Sequence, residues 1–298
     1  MKAETKAHLA LITSGILFGA NYWIAKGLMP DYLEPMQIIL IRSIASLGLF
    51  WLAASIQGKQ RVERKDHLVL ALCGLTGIAI NQAFFFIGLN YTSAVDTALI
   101  HSASPIMVLL FSAWLIGEKI GSSKITGIAF GAAGSVLLVL QGKSGNGGSH
   151  PLLGNFLILL NIISYSIYLV LLKPLMARYD AATIMKWVFL YGFIFVFPFC
   201  LPSASSLPIS ELPLKAWLSM AYIIVGTTFL TYLLTTYSLR TVSAGVAGYY
   251  IYMQPVLAAL IGVALFNEKL TMVKTMATLL VFAGVFMVNR RSRAKTNA

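Results

Sequence analysis

Ten apolar stretches of roughly bilayer-crossing length follow one another along this chain, separated by short polar breaks. They cover residues 7–29, 34–56, 67–89, 94–116, 124–141, 152–172, 182–202, 213–236, 244–266 and 272–289, the fifth and tenth being short. A spanning helix needs about 20 residues, and hydrocarbon offers no water to backbone N–H and C=O groups. Runs of this length therefore predict helices, and an all-α integral membrane protein. The composition agrees: 58% of residues are hydrophobic and 11% charged, against about 45–50% and about 25% in soluble domains.

The longest polar breaks fall at 57–66, 142–151 and 203–212. The middle one is rich in Gly, Ser and Asn, which is linker chemistry. Across it the sequence echoes itself at an offset of 150 residues. Ser93, Ala94, Pro105 and the pair Glu118–Lys119 return as Ser243, Ala244, Pro255 and Glu268–Lys269, and Gly134 returns as Gly284. The reading is a first repeat over 1–141, an extracytoplasmic linker over 142–151, and a second repeat over 152–298 that ends in a basic cytoplasmic tail. Five helices in each half make the second copy enter the membrane from the opposite side. The repeat is then inverted, an architecture suited to rocking around a central site.

The formal net charge of +12 suggests nucleic acid at first sight, but the charges cluster between apolar segments and read as topology signals. With the N-terminus inside, the outer segments hold Lys143, Lys215, Lys269 and Lys274, and Lys26 and Arg42 lie within helices; of 22 basic residues that leaves sixteen inside. Both termini are expected to be cytoplasmic, in the inner or plasma membrane of a bacterium-like cell. Lys2 and Lys6 precede an apolar segment that reads as a first spanning helix rather than as a cleaved signal peptide. Cys73 and Cys200 sit in apolar runs and read as core residues.

Polar residues inside the membrane are costly and each needs a reason. The first helix carries Asn21, Tyr22 and Lys26. Lys26 has two readings: snorkelling to the headgroups, or facing a cavity and binding an anion such as a carboxylate. Arg42 lies about 10 Å into the second helix. It either pairs with Asp31 or Glu34 near the surface, or has a substrate or gating role. The fourth helix holds Asp96 and His101, candidates for proton coupling, against the plainer reading of a histidine bonded to a neighbouring helix. They point about 140° apart around the axis. Their repeat partners Val246 and Ile251 are apolar, so the shared scaffold does not demand them. Gln82 and Phe86, Tyr165 and Tyr168, and Tyr249, Tyr252 and Gln254 form aromatic and amide stripes. Such stripes pack helices or wall a cavity for an amphipathic solute. Pro105 and Pro255 are expected to kink their helices or loosen them for gating. The spacings Gly15/Gly19 and Gly127/Gly131 read as close packing.

No metal set, cofactor motif, Walker loop, HExxH or GxSxG is present in the sequence, so no cofactor, ATPase subunit or enzymatic chemistry is expected. The blocks "LFGANYWIAKGL", "YTSAVDTALIHSASPIMVLLFSAWLIGEKI" and "TVSAGVAGYYIYMQPVLAALIGVALFNEKL", together with Arg42, resemble the EamA family of the drug/metabolite transporter superfamily. The resemblance runs through nearly the whole chain. One departure is Phe18 before Gly19, where family members often carry Trp. The resemblance implies ten helices as two inverted five-helix repeats around a central cavity. It also implies movement of small organic metabolites, often export of amino acids or related compounds. Partners would be the solute and membrane lipid. Alternatives are another metabolite or drug-like substrate, or a membrane enzyme or sensor that transports nothing.

Overall fold

A computed structural model describes residues 3–58, 60–92, 94–101, 103–118, 121–140, 149–266 and 272–292. Among them the regular elements are all helical. Six continuous helices are long and apolar enough to cross a membrane. They are α1 (Ala3–Lys26), α2 (Pro35–Gln57), α3 (Asp66–Tyr91), α7 (Pro151–Leu175), α8 (Ala181–Ala204) and α9 (Leu214–Ser238). The remaining elements are α4 (Ala94–His101), α5 (Ser104–Ile116), α6 (Ser122–Leu140), α10 (Ala244–Tyr249), α11 (Met253–Phe266) and α12 (Met272–Ser292).

Two of the expected spans, those that carry Pro105 and Pro255, are broken. The stretch 94–116 divides into α4 and α5, and 244–266 divides into α10, a 3₁₀ turn over Tyr250–Tyr252, and α11. In each case a proline, Pro105 or Pro255, lies in the first turn of the second piece. A proline there has no N–H to give and its ring crowds the preceding turn, so the break falls just before it.

Helices α3 and α9 each contain a π-helical stretch, Leu75–Ile80 and Tyr222–Leu230. At the 150-residue offset the first falls within the second. A π turn frees carbonyls from the regular ladder, and in a membrane neighbouring helices must satisfy them. Ser164 on α7 donates to the Thr76 carbonyl, and the Tyr232 hydroxyl on α9 donates to the Gly77 carbonyl at 3.0 Å.

Helix α2 packs on α8, and α6 packs on α12. Other pairings come in exchanged sets: α3 on α7 with α9 on α1, and α5 on α7 with α11 on α1. Facing glycines bring several of these axes close. A Cβ on Gly88 would lie 3.0 Å from the Gly154 carbonyl, and one on Gly284 would lie 2.6 Å from the Gly127 carbonyl. Dispersion between close backbones, rather than water exclusion, holds such contacts in lipid. Large apolar side chains such as Ile56, Trp114, Leu152 and Phe199 point outward, as a lipid-facing surface requires.

Loop contacts tie the helix ends together. The Asp66 carboxylate accepts from Arg178 at 2.7 Å and from the Tyr179 hydroxyl at 2.6 Å. Gly117, at φ 66°, ends α5 in a left-handed cap that returns the Glu118 amide to the Ser112 carbonyl. Cys73 and Cys200 are buried free thiols.

Candidate functional site

A cavity lies where α1, α2, α3, α4, α7 and α9 meet the 3₁₀ turn and the start of α11. The space open to a water-sized sphere is about 70 Å³, room for on the order of five waters. Its apolar wall is Phe18, Phe85 and Ile251; Tyr22, Tyr165 and Tyr232 add phenol rings. The polar groups are Arg42 and His101 with Asn21, Asn81, Gln82, Asn161, Thr227 and Gln254.

Many of these polar groups are committed to each other. Tyr22 donates to Gln254 Oε1 at 2.7 Å, and Thr227 donates to Asn21 Oδ1 at 3.2 Å. Asn81 and Asn161 exchange bonds with each other's backbone: Asn81 Nδ2 to the Asn161 carbonyl at 3.2 Å, and Asn161 Nδ2 to the Asn81 carbonyl at 2.6 Å. His101 Nδ1 lies 2.9 Å from the Thr97 carbonyl. A carbonyl only accepts, so Nδ1 carries the proton and Nε2 is left as the basic nitrogen. The imidazole sits edge-on to Tyr22 and Phe85, with centroids at 5.6 and 5.8 Å.

Other groups are not committed. Arg42 Nε, both amide atoms of Gln82, and Asn161 Oδ1 are buried without a hydrogen-bond partner. Gln82 reaches toward Tyr232, whose hydroxyl donates to Gly77 and can still accept from an amide. Arg42 is only 5% exposed, and its guanidinium lies 5.1 Å above the Phe86 ring. Among the described residues it forms no ion pair. Glu34, one of the carboxylates considered for it, instead belongs to the cap of α2, where its amide donates to Gln37 Oε1 at 2.9 Å.

The structure thus brings Asn21, Tyr22, Arg42, Gln82, His101, Tyr165 and Gln254 to one cavity. It sets other candidates apart. Lys26 does not line the cavity: its ammonium donates to the carbonyls of Leu89 at 2.8 Å, Asn90 at 3.1 Å and Thr92 at 3.0 Å, which uses all three of its donors. Phe86 lies beneath Arg42 rather than on the wall. Tyr168 is buried against Gly77 and Met185. Tyr249 and Tyr252 donate to the Lys124 and Ile128 carbonyls at 3.2 and 3.3 Å, so they clasp α10 and the 3₁₀ turn to α6. Pro105 and Pro255 are buried at the helix breaks. Asp96 belongs to α4, but its side chain is outside the described residues, as are Ser93, Ser102, Lys119, Glu268, Lys269, residue 141 at the end of the first repeat, residues 142–148 of the linker and residues 293–298 of the tail.

Tyr232 and Thr227 were not singled out by sequence reasoning. A signal existed for Tyr232: it stands 150 residues from Gln82. Phe18 and Tyr165, 147 apart, and His101 and Ile251, 150 apart, are further such pairs, and both members of each line the cavity.

A family model described as "EamA-like transporter family" matches residues 5–140 and again 152–290. "Uncharacterized transporter YetK" of Bacillus subtilis is 26% identical, over 96% of this chain and 88% of its own length. A protein of Archaeoglobus fulgidus named "Uncharacterized transporter" is 23% identical over 97% of this chain and 99% of its own. A "Probable terminal-alkyne amino-acid exporter" of Streptantibioticus cattleyicolor is 24% identical over 84% and 82%. One solved crystal structure superposes with a TM-score of 0.76 at 18% identity, covering 96% of this chain and 98% of that one; at that identity it speaks for the fold alone.

Proposed function

The chain belongs to the EamA-like transporter family, and on that premise we propose that it is a secondary transporter that moves a small amphipathic metabolite by alternating access. The solute class is an amino acid or a related compound, and the direction is export. One relative at 24% identity bears an amino-acid exporter's name, which supports both. The observation that carries the reading is the cavity itself. It combines phenol and phenyl walls with buried polar groups left unspent, at the meeting point of both family matches. Unspent buried polar groups are costly, and a solute that satisfies them turns that cost into affinity.

The architecture proposed is ten transmembrane helices in two inverted five-helix repeats, with both termini cytoplasmic. The exchanged pairings support it: α3 on α7 answers α9 on α1. So does the recurrence of the π turn. Two of the ten spans would be the broken pairs α4–α5 and α10–α11. Their interruptions beside Pro105 and Pro255 supply places where a helix bends as access alternates. His101, which lines the cavity beside Asn161, is the proposed site of proton coupling. The transporter would work in lipid on a small solute, without nucleic acid, cofactor, metal or ATPase subunit.

Reconstitution tests this. Purified protein in liposomes is expected to pass at least one member of a panel of amino acids and related metabolites, by counterflow or under a pH gradient. Absence of flux across a broad panel, with either sign of gradient, sinks the proposal.

A further inference from the structure

Within the proposed transport cavity, the unpaired charge of Arg42 has chemical consequences for selectivity. A guanidinium that is nine-tenths buried ordinarily has a carboxylate partner, because the cost of removing it from water is several kcal/mol. Arg42 has none among the described residues; the face of Phe86 lies 5.1 Å from its guanidinium. Among the described residues, no aspartate or glutamate lines the cavity. The acceptors left open among the described cavity residues are neutral: Gln82 Oε1, and Asn161 Oδ1 on the side chain that faces His101.

We propose that Arg42 is the carboxylate-docking residue and charge filter of this cavity, with Gln82 Oε1 and Asn161 Oδ1 accepting from an adjacent donor such as an α-ammonium. A planar guanidinium offers paired N–H donors that match the two oxygens of a carboxylate. The substrate's own carboxylate then supplies the counter-charge that Arg42 lacks among the described residues. Substrates with a carboxylate and no net positive charge fit. Amines without a carboxylate meet the positive field of Arg42, with no acidic side chain among the described lining residues to offset it. The apolar remainder of the molecule packs on Phe18, Phe85 and Ile251. This inference rests on the transport reading for its biological meaning, but its test does not require flux.

The probes are L-methionine, the carboxylate 4-(methylthio)butanoate that lacks the amine, and 3-(methylthio)propylamine that lacks the carboxylate. Each is measured by thermal stabilisation of the full-length protein in detergent and by flux in liposomes. In the native protein both carboxylates are expected to stabilise at concentrations at least tenfold below the amine. Arg42→Gln is expected to abolish that preference. Arg42→Lys keeps the charge and is expected to restore part of it, which also controls for misfolding of Arg42→Gln. Stabilisation by the amine as strong as by the carboxylates overturns the inference, as does a preference unchanged in Arg42→Gln. Failure of both carboxylates to stabilise the native protein also overturns it. Stabilisation that depends on Arg42 but comes with no flux of any probe or panel solute would leave the inference standing and sink the transport proposal instead.

Discussion

Lys26 and Lys173 do the same work in the two halves of the molecule, whereas the cavity residues of the two halves do not. Lys26, ending α1, donates to the carbonyls of Leu89 in the last turn of α3 and Thr92 just past it. Lys173, near the end of α7, donates to those of Leu239 and Val242 just past α9. The acceptors are 150 residues apart in both cases. A cation at a helix C-terminus satisfies carbonyls that have no partner in the helix and meets the negative end of its dipole. In the cavity the repeat-related pairs diverge: Gln82 against Tyr232, His101 against Ile251, Phe18 against Tyr165. Scaffold positions answer to helix geometry, which both halves share. On the proposed function, cavity positions answer to one solute, which has no two-fold symmetry, and the difference would separate the residues that build the fold from those that choose what it binds.

The contrast has its largest expected effect at Gly77 and its repeat partner Thr227. A Cβ on Gly77 would lie 2.3 Å from the Tyr168 ring. Gly77→Val is expected to destabilise the protein by about 3 kcal/mol, the upper range for overpacking. Thr227→Ala gives up one hydrogen bond to Asn21, about 1 kcal/mol. Denaturation midpoints in detergent measure both, and equal losses would break the distinction between scaffold and cavity at this pair.

The two lysine clasps come next. Lys26→Met and Lys173→Met should each cost about 2 kcal/mol, the price of leaving partly buried carbonyls without a charged donor. The two sites share no partner, so the double variant should lose the sum. A clear departure from additivity would mean that the clasps communicate.

Copying one half's cavity residue into the other sharpens the comparison further. Gln82→Tyr adds a ring to a space of about 70 Å³ and is expected to lower flux about tenfold, equivalent to about 1.4 kcal/mol, with little change in stability. Flux at the native rate would remove Gln82 from the solute's path. The smallest effect is expected for Tyr232→Phe, which deletes the bond to the Gly77 carbonyl and should cost about 1 kcal/mol; a loss several times larger would make Tyr232 part of the scaffold.

Much of the fold was legible in the chain because bilayer thickness fixes helix length and the absence of water fixes helical backbone. The expected segments at 34–56 and 182–202 lie within a few residues of α2 and α8. The sites of the two broken helices were legible too, from Pro105 and Pro255. Neither π turn was, since i→i+5 bonding leaves no pattern in hydropathy. Among candidate site residues, a polar or aromatic type in an apolar run marked Arg42, Gln82, His101 and Tyr165. The same criterion selected Lys26, Tyr249 and Tyr252, whose polar ends close helix contacts.

The sequence by itself determined the membrane class, the approximate spans, the 150-residue echo and the positions where the echo fails. These depend on local length, polarity and repetition. Only the tertiary structure decided which polar groups are spent and which are left over. Lys26 and Arg42 are both cations within apolar helices, but Lys26 finds three carbonyls and Arg42 finds an aromatic face and a cavity. That outcome depends on neighbouring helices far away in sequence, because satisfaction of a buried charge is a property of its surroundings and not of its residue type.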